Sequence, residues 1–292
     1  MRLLLVLLAL SLPVTSLAAP VATPQLTGPT FTATRLTDNV FALTLSPGSR
    51  ATSNALLVVG DRYAVVAGAH MTRETIDALV ARTAAITPLP IRYFVLTHHH
   101  RGYTHIDFDF PPDAEVIMSW QTWQALAGET RAISFPVLFF RDGLTLRIGG
   151  RNLVLTNIGP AHTDGDVIAY LPESKLLFTS DLFYAGGVGY MGDGHMQDWV
   201  LALEFLQSLR AERIIPGQGP VSRPEDLVEY TRFFRDFLTE IIAHLERGDS
   251  LKQTLKSFRL DRHRSRRGYA EFMPVNIERA WTQLAETVTP KR

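Results

Sequence analysis

The sequence predicts an α/β protein with a two-sheet core, helices outside it and a helical C-terminal part. Three observations carry that expectation. A block of short β-branched and aromatic runs is followed by a helical pattern, a second block repeats the order, and the chain turns wholly helical after Pro224.

In the first block, 31–67 holds apolar runs broken at Asp38-Asn39, Pro47-Gly48 and Gly60-Asp61, the pattern of consecutive antiparallel strands. Residues 72–87 follow with Ile76, Leu79, Val80 and Ile86 near helical spacing. Thr72 suits the N-cap, and Glu74 places a carboxylate in the first turn, where the helix dipole favours it. Thr75 stands where a capping box needs Glu or Gln, so the cap is single. Ile91–Leu96 then reads as a short buried strand.

In the second block a strand is expected at 115–118, a helix at 121–127, and a hairpin at 144–148 and 153–158 across Gly149-Gly150. Strands at 167–171 and 176–179, a helix at 199–209 and a strand at 213–215 complete it. From 225 to 246, Leu227, Tyr230, Phe233, Phe234, Phe237, Ile241 and Leu245 recur every three or four residues, so the three phenylalanines are expected to pack on a sheet. No linker separates this tail, and 19–292 reads as one domain with 224–292 as its helical end. The stretch 135–141, with Phe139-Phe140 before Asp142-Gly143, reads as a flap over a pocket.

Composition narrows the partners. Twenty-nine basic and 29 acidic residues cancel, so the chain as a whole carries no electropositive footprint for nucleic acid, and no nucleic-acid partner is expected. A local basic run, Arg259, Arg262, Arg264, Arg266 and Arg267, reads as a solvated face, or more sharply as a contact for an anionic surface. Residues 1–18 combine Arg2, an apolar run ending near Leu12, Pro13 and small residues at Ser16 and Ala18. This is the pattern of a cleaved signal peptide, which predicts a periplasmic or secreted protein. The run is too short to cross a bilayer, so no transmembrane segment is expected. The sequence contains no cysteine, so no thiolate ligand or nucleophile exists, and the chemistry falls to His, carboxylates, hydroxyls or a metal.

The nine histidines are unevenly placed. His98, His99 and His100 directly follow the buried strand, and His105 lies just beyond. In an extended segment His98 and His100 project to one side and present two imidazoles to one ion, while His99 points away and packs. His162, in the loop Gly159-Pro160-Ala161-His162-Thr163, offers a third. Three neutral imidazoles and an open position let zinc lower the pKa of bound water to about 7. Asp164 and Asp166 read as turn residues that orient the His162 loop. His195, His244 and His263 carry no spacing signal and read as surface groups; His70 stays open as a substitute ligand, as does His105.

Four segments in order, Thr97-His98-His99-His100, Gly159-Pro160-Ala161-His162-Thr163-Asp164-Gly165-Asp166, Phe178-Thr179-Ser180-Asp181 and Pro216-Gly217-Gln218-Gly219-Pro220, resemble the metallo-β-lactamase fold superfamily. The resemblance implies an αββα four-layer sandwich, a metal site at one edge between the sheets, and hydrolysis as the usual activity. It also implies a departure. The family's HxHxDH motif would run from His98 to Tyr103, but Gly102 and Tyr103 stand where its Asp and last His belong. Gln218 replaces the His of the family's PGHG segment, and Ala67 stands where an early Asp is common. Those changes at Gly102, Tyr103 and Gln218 fall on the second metal site. One zinc ion is therefore expected, on His98, His100 and His162, with Asp181 as fourth ligand or as the base that orients water, and Tyr103 as a hydrogen-bond donor to substrate or oxyanion.

The expected function is thus an exported mononuclear zinc hydrolase acting on a small-molecule substrate, an ester, lactone, amide or thioester. Two alternatives stand beside it. One is an iron enzyme of the persulfide dioxygenase kind, for which the resemblance implies His98, His162 and Asp181 as ligands; the other is a non-catalytic relative that binds a ligand in the same pocket.

Overall fold

The computed structural model describes residues 25–69, 72–100, 110–127 and 135–288. The strands β1 (Gln25–Leu26), β2 (Phe31–Thr37), β3 (Val40–Leu45), β4 (Ala55–Val59) and β5 (Ala64–Gly68) come first, then helix α1 (Arg73–Ala84) and β6 (Ile91–Leu96). Next are β7 (Glu115–Ser119), α2 (Trp120–Ala127), β8 (Val137–Phe140), β9 (Gly143–Ile148), β10 (Arg151–Gly159), β11 (Asp166–Leu171) and β12 (Leu176–Tyr184). The chain continues through α3 (Met196–Ser208), β13 (Arg213–Gln218), α4 (Pro224–Glu246), α5 (Leu251–Ser257) and α6 (Tyr269–Val288).

Among the described residues the strands form two sheets, one ordered β1 to β8 in sequence and one ordered β13-β12-β11-β10-β9. Pairing is antiparallel from β1 to β5 and parallel from β5 to β8. In the second sheet only β12 and β13 run parallel, with α3 as their crossover.

Period-two alternation divides each buried strand between two cores. On β4, Leu56 and Val58 face the second sheet and pack with Leu153, Leu155, Ala169 and Phe178. Leu57 and Val59 face the other way, with Ile76 and Leu79 of α1. On the outer face of the second sheet, Leu177 and Ile214 meet Trp199 of α3 and Phe233, Phe234 and Phe237 of α4. The layers are therefore helix, sheet, sheet, helix, as expected. Thr72 caps α1 by accepting the N–H of Thr75, again as read.

Three expectations are corrected. The stretch 135–141 is no flap: β8 is an edge strand parallel to β7, and Phe139 stacks on Trp123. His244 and His263 are buried, not surface groups, because each has a carboxylate to pair with: His244 Nδ1 lies 2.7 Å from Asp249 Oδ2 and His263 Nε2 2.8 Å from Asp236 Oδ2. The basic run is only partly solvated. Arg266 is buried between the Phe233 ring and the Glu229 carboxylate, where a flat guanidinium can stack and pair at once. No helix among the described residues is long and apolar enough to cross a membrane.

Candidate metal centre

The site forms where strand ends of the two sheets meet. Leaving β6, the chain stays extended through Thr97, and His98 and His100 turn to the same side. The loop between β10 and β11 brings His162 against them. The three rings stand nearly perpendicular to one another, with centroids 4.7–5.0 Å apart and interplanar angles of 83–87°. All three are buried, and one ring nitrogen from each lies within 4.8 Å of the others. Three imidazoles converging like this share one point, as a metal ion requires.

The local chemistry fits an ion. His100 Nε2 and His162 Nε2 approach to 2.9 Å, although two neutral imidazoles can share only one proton there. His162 Nδ1 is buried without a hydrogen-bond partner among the described residues. Burial, then the neighbouring His100 and His98, hold the His162 pKa well below its usual value, so it stays neutral and keeps a lone pair for a cation. An all-nitrogen donor set of this kind suits zinc and also iron.

Each ligand is held from behind. His98 Nδ1 lies 3.2 Å from Thr97 Oγ1, which is 2.8 Å from Ser180 Oγ. The His162 loop closes on Asp166, whose carboxylate accepts the N–H groups of His162 and Thr163 at 2.7 and 3.0 Å and the Thr163 hydroxyl at 2.8 Å. Burial nonetheless pushes the Asp166 pKa up to about 6, against those hydrogen bonds. His100 Nδ1 meets Asp193 Oδ2 at 2.7 Å.

Asp181, on β12, points its Oδ2 at His98 Nε2 (3.7 Å) and His162 Nε2 (3.9 Å). Its Oδ1 accepts the Ser53 hydroxyl at 2.9 Å. Burial raises its pKa to about 6, with the hydrogen bonds from Ser53 and Tyr184 opposing the rise; a cation on the three imidazoles would draw it down again. Ser180, just before it, has φ +49°, a left-handed conformation unusual for a residue with a side chain and a common mark of functional sites. Beyond Asp181 a cavity of about 320 Å³ opens, lined by His100, His162, Tyr184, Tyr190, Gln218 and Phe272, among others.

Comparison with known proteins agrees with the fold. The profile of the metallo-beta-lactamase superfamily matches residues 102–218. A metallo-beta-lactamase from Pontibacter korlensis superimposes with a TM-score of 0.60 at 24% identity, over 70% of this chain and 98% of the other. The chain has the metallo-β-lactamase fold. Among curated relatives, a nitric oxide reductase from Moorella thermoacetica is 26% identical over 45% of this chain and 34% of its own length. A hydroxyacylglutathione hydrolase from Prochlorococcus marinus is 29% identical over 44% of this chain and 50% of its own. The chain thus spans a third to a half of the length of these relatives.

The structure brings His98, His100, His162 and Asp181 together. Gln218 lines the cavity, but its amide nitrogen donates to Thr52 O at 2.8 Å. Ala67 is packed in the core between the sheets. His70, Tyr103 and His105 lie outside the described residues, as does the proposed leader, 1–18. Sequence reasoning missed Ser53, Tyr184, Tyr190, Asp193 and Phe272. The one available signal was the glycine-rich run from 186 to 194, which marks a tightly folded loop and carries two of them.

Proposed function

We propose that this protein is a metal-dependent hydrolase that works with a single zinc ion on His98, His100 and His162 and cleaves a neutral ester, lactone, amide or thioester. The observation that carries the reading is the three-imidazole cluster opening onto an aromatic-walled cavity beside a buried carboxylate. Zinc supplies, when bound, Lewis-acid activation of water and of a carbonyl.

The chain's own residues do the rest. Asp181 Oδ2 stands where it can take a proton from the attacking water and pass it to the leaving group as the acyl bond breaks. Ser53 and Tyr184 fix its rotamer for that task. Tyr190 and Phe272 form apolar walls that pack a substrate and exclude water. No Lys or Arg is among the described residues lining the cavity, so beyond the ion itself no cation there would hold a charged group of the substrate, which favours neutral substrates. Tyr103 keeps its proposed role as donor to the oxyanion. A single ion is supported by Gly102, Tyr103 and Gln218 in the positions of second-site ligands, since glycine has no donor, Tyr is a rare ligand at neutral pH and Gln218 offers only a weak carbonyl oxygen. The apolar, small-residue pattern of 1–18 supports export to the periplasm or beyond.

Hydrolysis of a neutral aryl ester and its carboxylate-bearing analogue by the zinc-loaded protein tests the reading. Zinc-dependent turnover that prefers the neutral ester is expected, with kcat reduced by at least a hundredfold in Asp181→Asn. Zinc-independent turnover, or iron in the preparation with oxygen uptake on a persulfide, would overturn it.

A further inference from the structure

Asp193 belongs to none of the motifs that led to the site, and it is 93 residues from His100 in sequence, yet the two side chains meet at 2.7 Å. A carboxylate at Nδ1 holds the proton on that nitrogen, which leaves the Nε2 lone pair facing His162 Nε2 and fixes the plane of the ring. The Asp193 side chain is only half-buried, so its position must come from the loop that carries it.

That loop is held by the C-terminal helix. Asn276 of α6, fully buried, accepts the Met191 N–H at 2.8 Å and donates to Gly189 O at 2.9 Å. Arg279, one helical turn on, donates from Nε to Gly194 O at 2.8 Å, immediately after Asp193. At the loop's far end the His195 N–H donates to Ala161 O at 2.7 Å, which ties it to the His162 loop. Gly189 permits the path because its φ is +75°.

We propose that Asp193 is a positioning residue for His100, and that Asn276 and Arg279 latch its loop, so that α6 forms part of the metal centre. The inference rests on the reading that the three imidazoles hold an ion. Asp193 acts on His100 and need not touch substrate. Loss of such a carboxylate behind a metal-binding imidazole weakens metal affinity by about 10- to 100-fold.

The test compares the wild-type chain with Asp193→Ala, Asp193→Asn and Asn276→Ala. Zinc affinity is measured by competition with a chromophoric chelator, the cobalt-substituted site by its visible spectrum, and the His100 tautomer of the metal-free protein by nitrogen NMR. Asp193→Ala is expected to lose at least tenfold in zinc affinity, to shift the cobalt bands and to lose the Nδ1–H preference. Asp193→Asn recovers part of the affinity, because its amide oxygen still accepts from Nδ1–H. Asn276→Ala weakens zinc by a smaller factor. Wild-type affinity and spectrum in Asp193→Ala would overturn the positioning role, and an unaltered Asn276→Ala beside a weakened Asp193→Ala would overturn the latch. A wild-type chain that binds neither ion would instead overturn the metal reading, and the tautomer measurement then decides the His100–Asp193 contact alone.

Discussion

At Gly217 the volume of a single methyl group is already taken by Asp181. A Cβ there would lie 2.1 Å from Asp181 Oδ1 and 2.7 Å from its Cα, far inside contact distance. Gly217→Ala is therefore expected to displace the Asp181 carboxylate and to reduce kcat by at least tenfold while KM changes little, which steady-state kinetics checks. Ser53→Ala acts on the same carboxylate more gently, since it removes one hydrogen bond of about 1 kcal/mol. At this scale the sequence was legible wherever a residue's chemistry was unusual in itself. A triple His after a strand stands out alone, whereas Asp181 was implied only by the resemblance of Phe178-Thr179-Ser180-Asp181 to a family segment. Ser53, Tyr184 and Asp193 do not stand out, because each gains its role from a partner far away in the chain, and neither hydroxyls nor one aspartate among many carry a local mark.

Among the elements, periodicity revealed type better than extent. β12 was expected to stop at Thr179 but runs to Tyr184, because the left-handed Ser180 breaks its regular register against β13 without ending it, and a propensity pattern cannot foresee such a break. α4 was read nearly to its ends, since its apolar stripe is complete. That stripe makes a sharp prediction. Phe237, wholly buried against Phe233, Phe234 and Phe258, leaves a large cavity when truncated, so Phe237→Ala should destabilise the fold by about 3–5 kcal/mol in urea unfolding. The turn after α4 makes another. His244 holds the Asp249 carboxyl below its usual pKa by hydrogen bonding, so the pair's contribution to stability is present above the unfolded carboxyl's pKa of about 4 and is lost as pH falls through the lower folded value. Asp249→Asn should lower stability at pH 7 and flatten its decline in acid, as read by thermal unfolding across that range.

In the molecule as a whole, the site is a seam. His98 and His100 come from the end of a strand in one sheet, and His162 and Asp181 from the other, so the ligand set exists only when the two sheets have packed. An ion held there binds the folded state alone and stabilises it through mass action. At free zinc a thousandfold above its Kd this amounts to about 4 kcal/mol, and chelation should lower the melting temperature accordingly. Composition foreshadowed this arrangement only by exclusion: without a cysteine, the seam had to be closed by imidazoles and carboxylates. The most direct test is elemental analysis of the purified protein beside His98→Ala and His162→Ala, with folding of each variant checked by circular dichroism. One zinc per wild-type chain and none in either folded variant is the predicted result; two ions per chain, or a wild-type chain that stays metal-free under excess zinc, would contradict it.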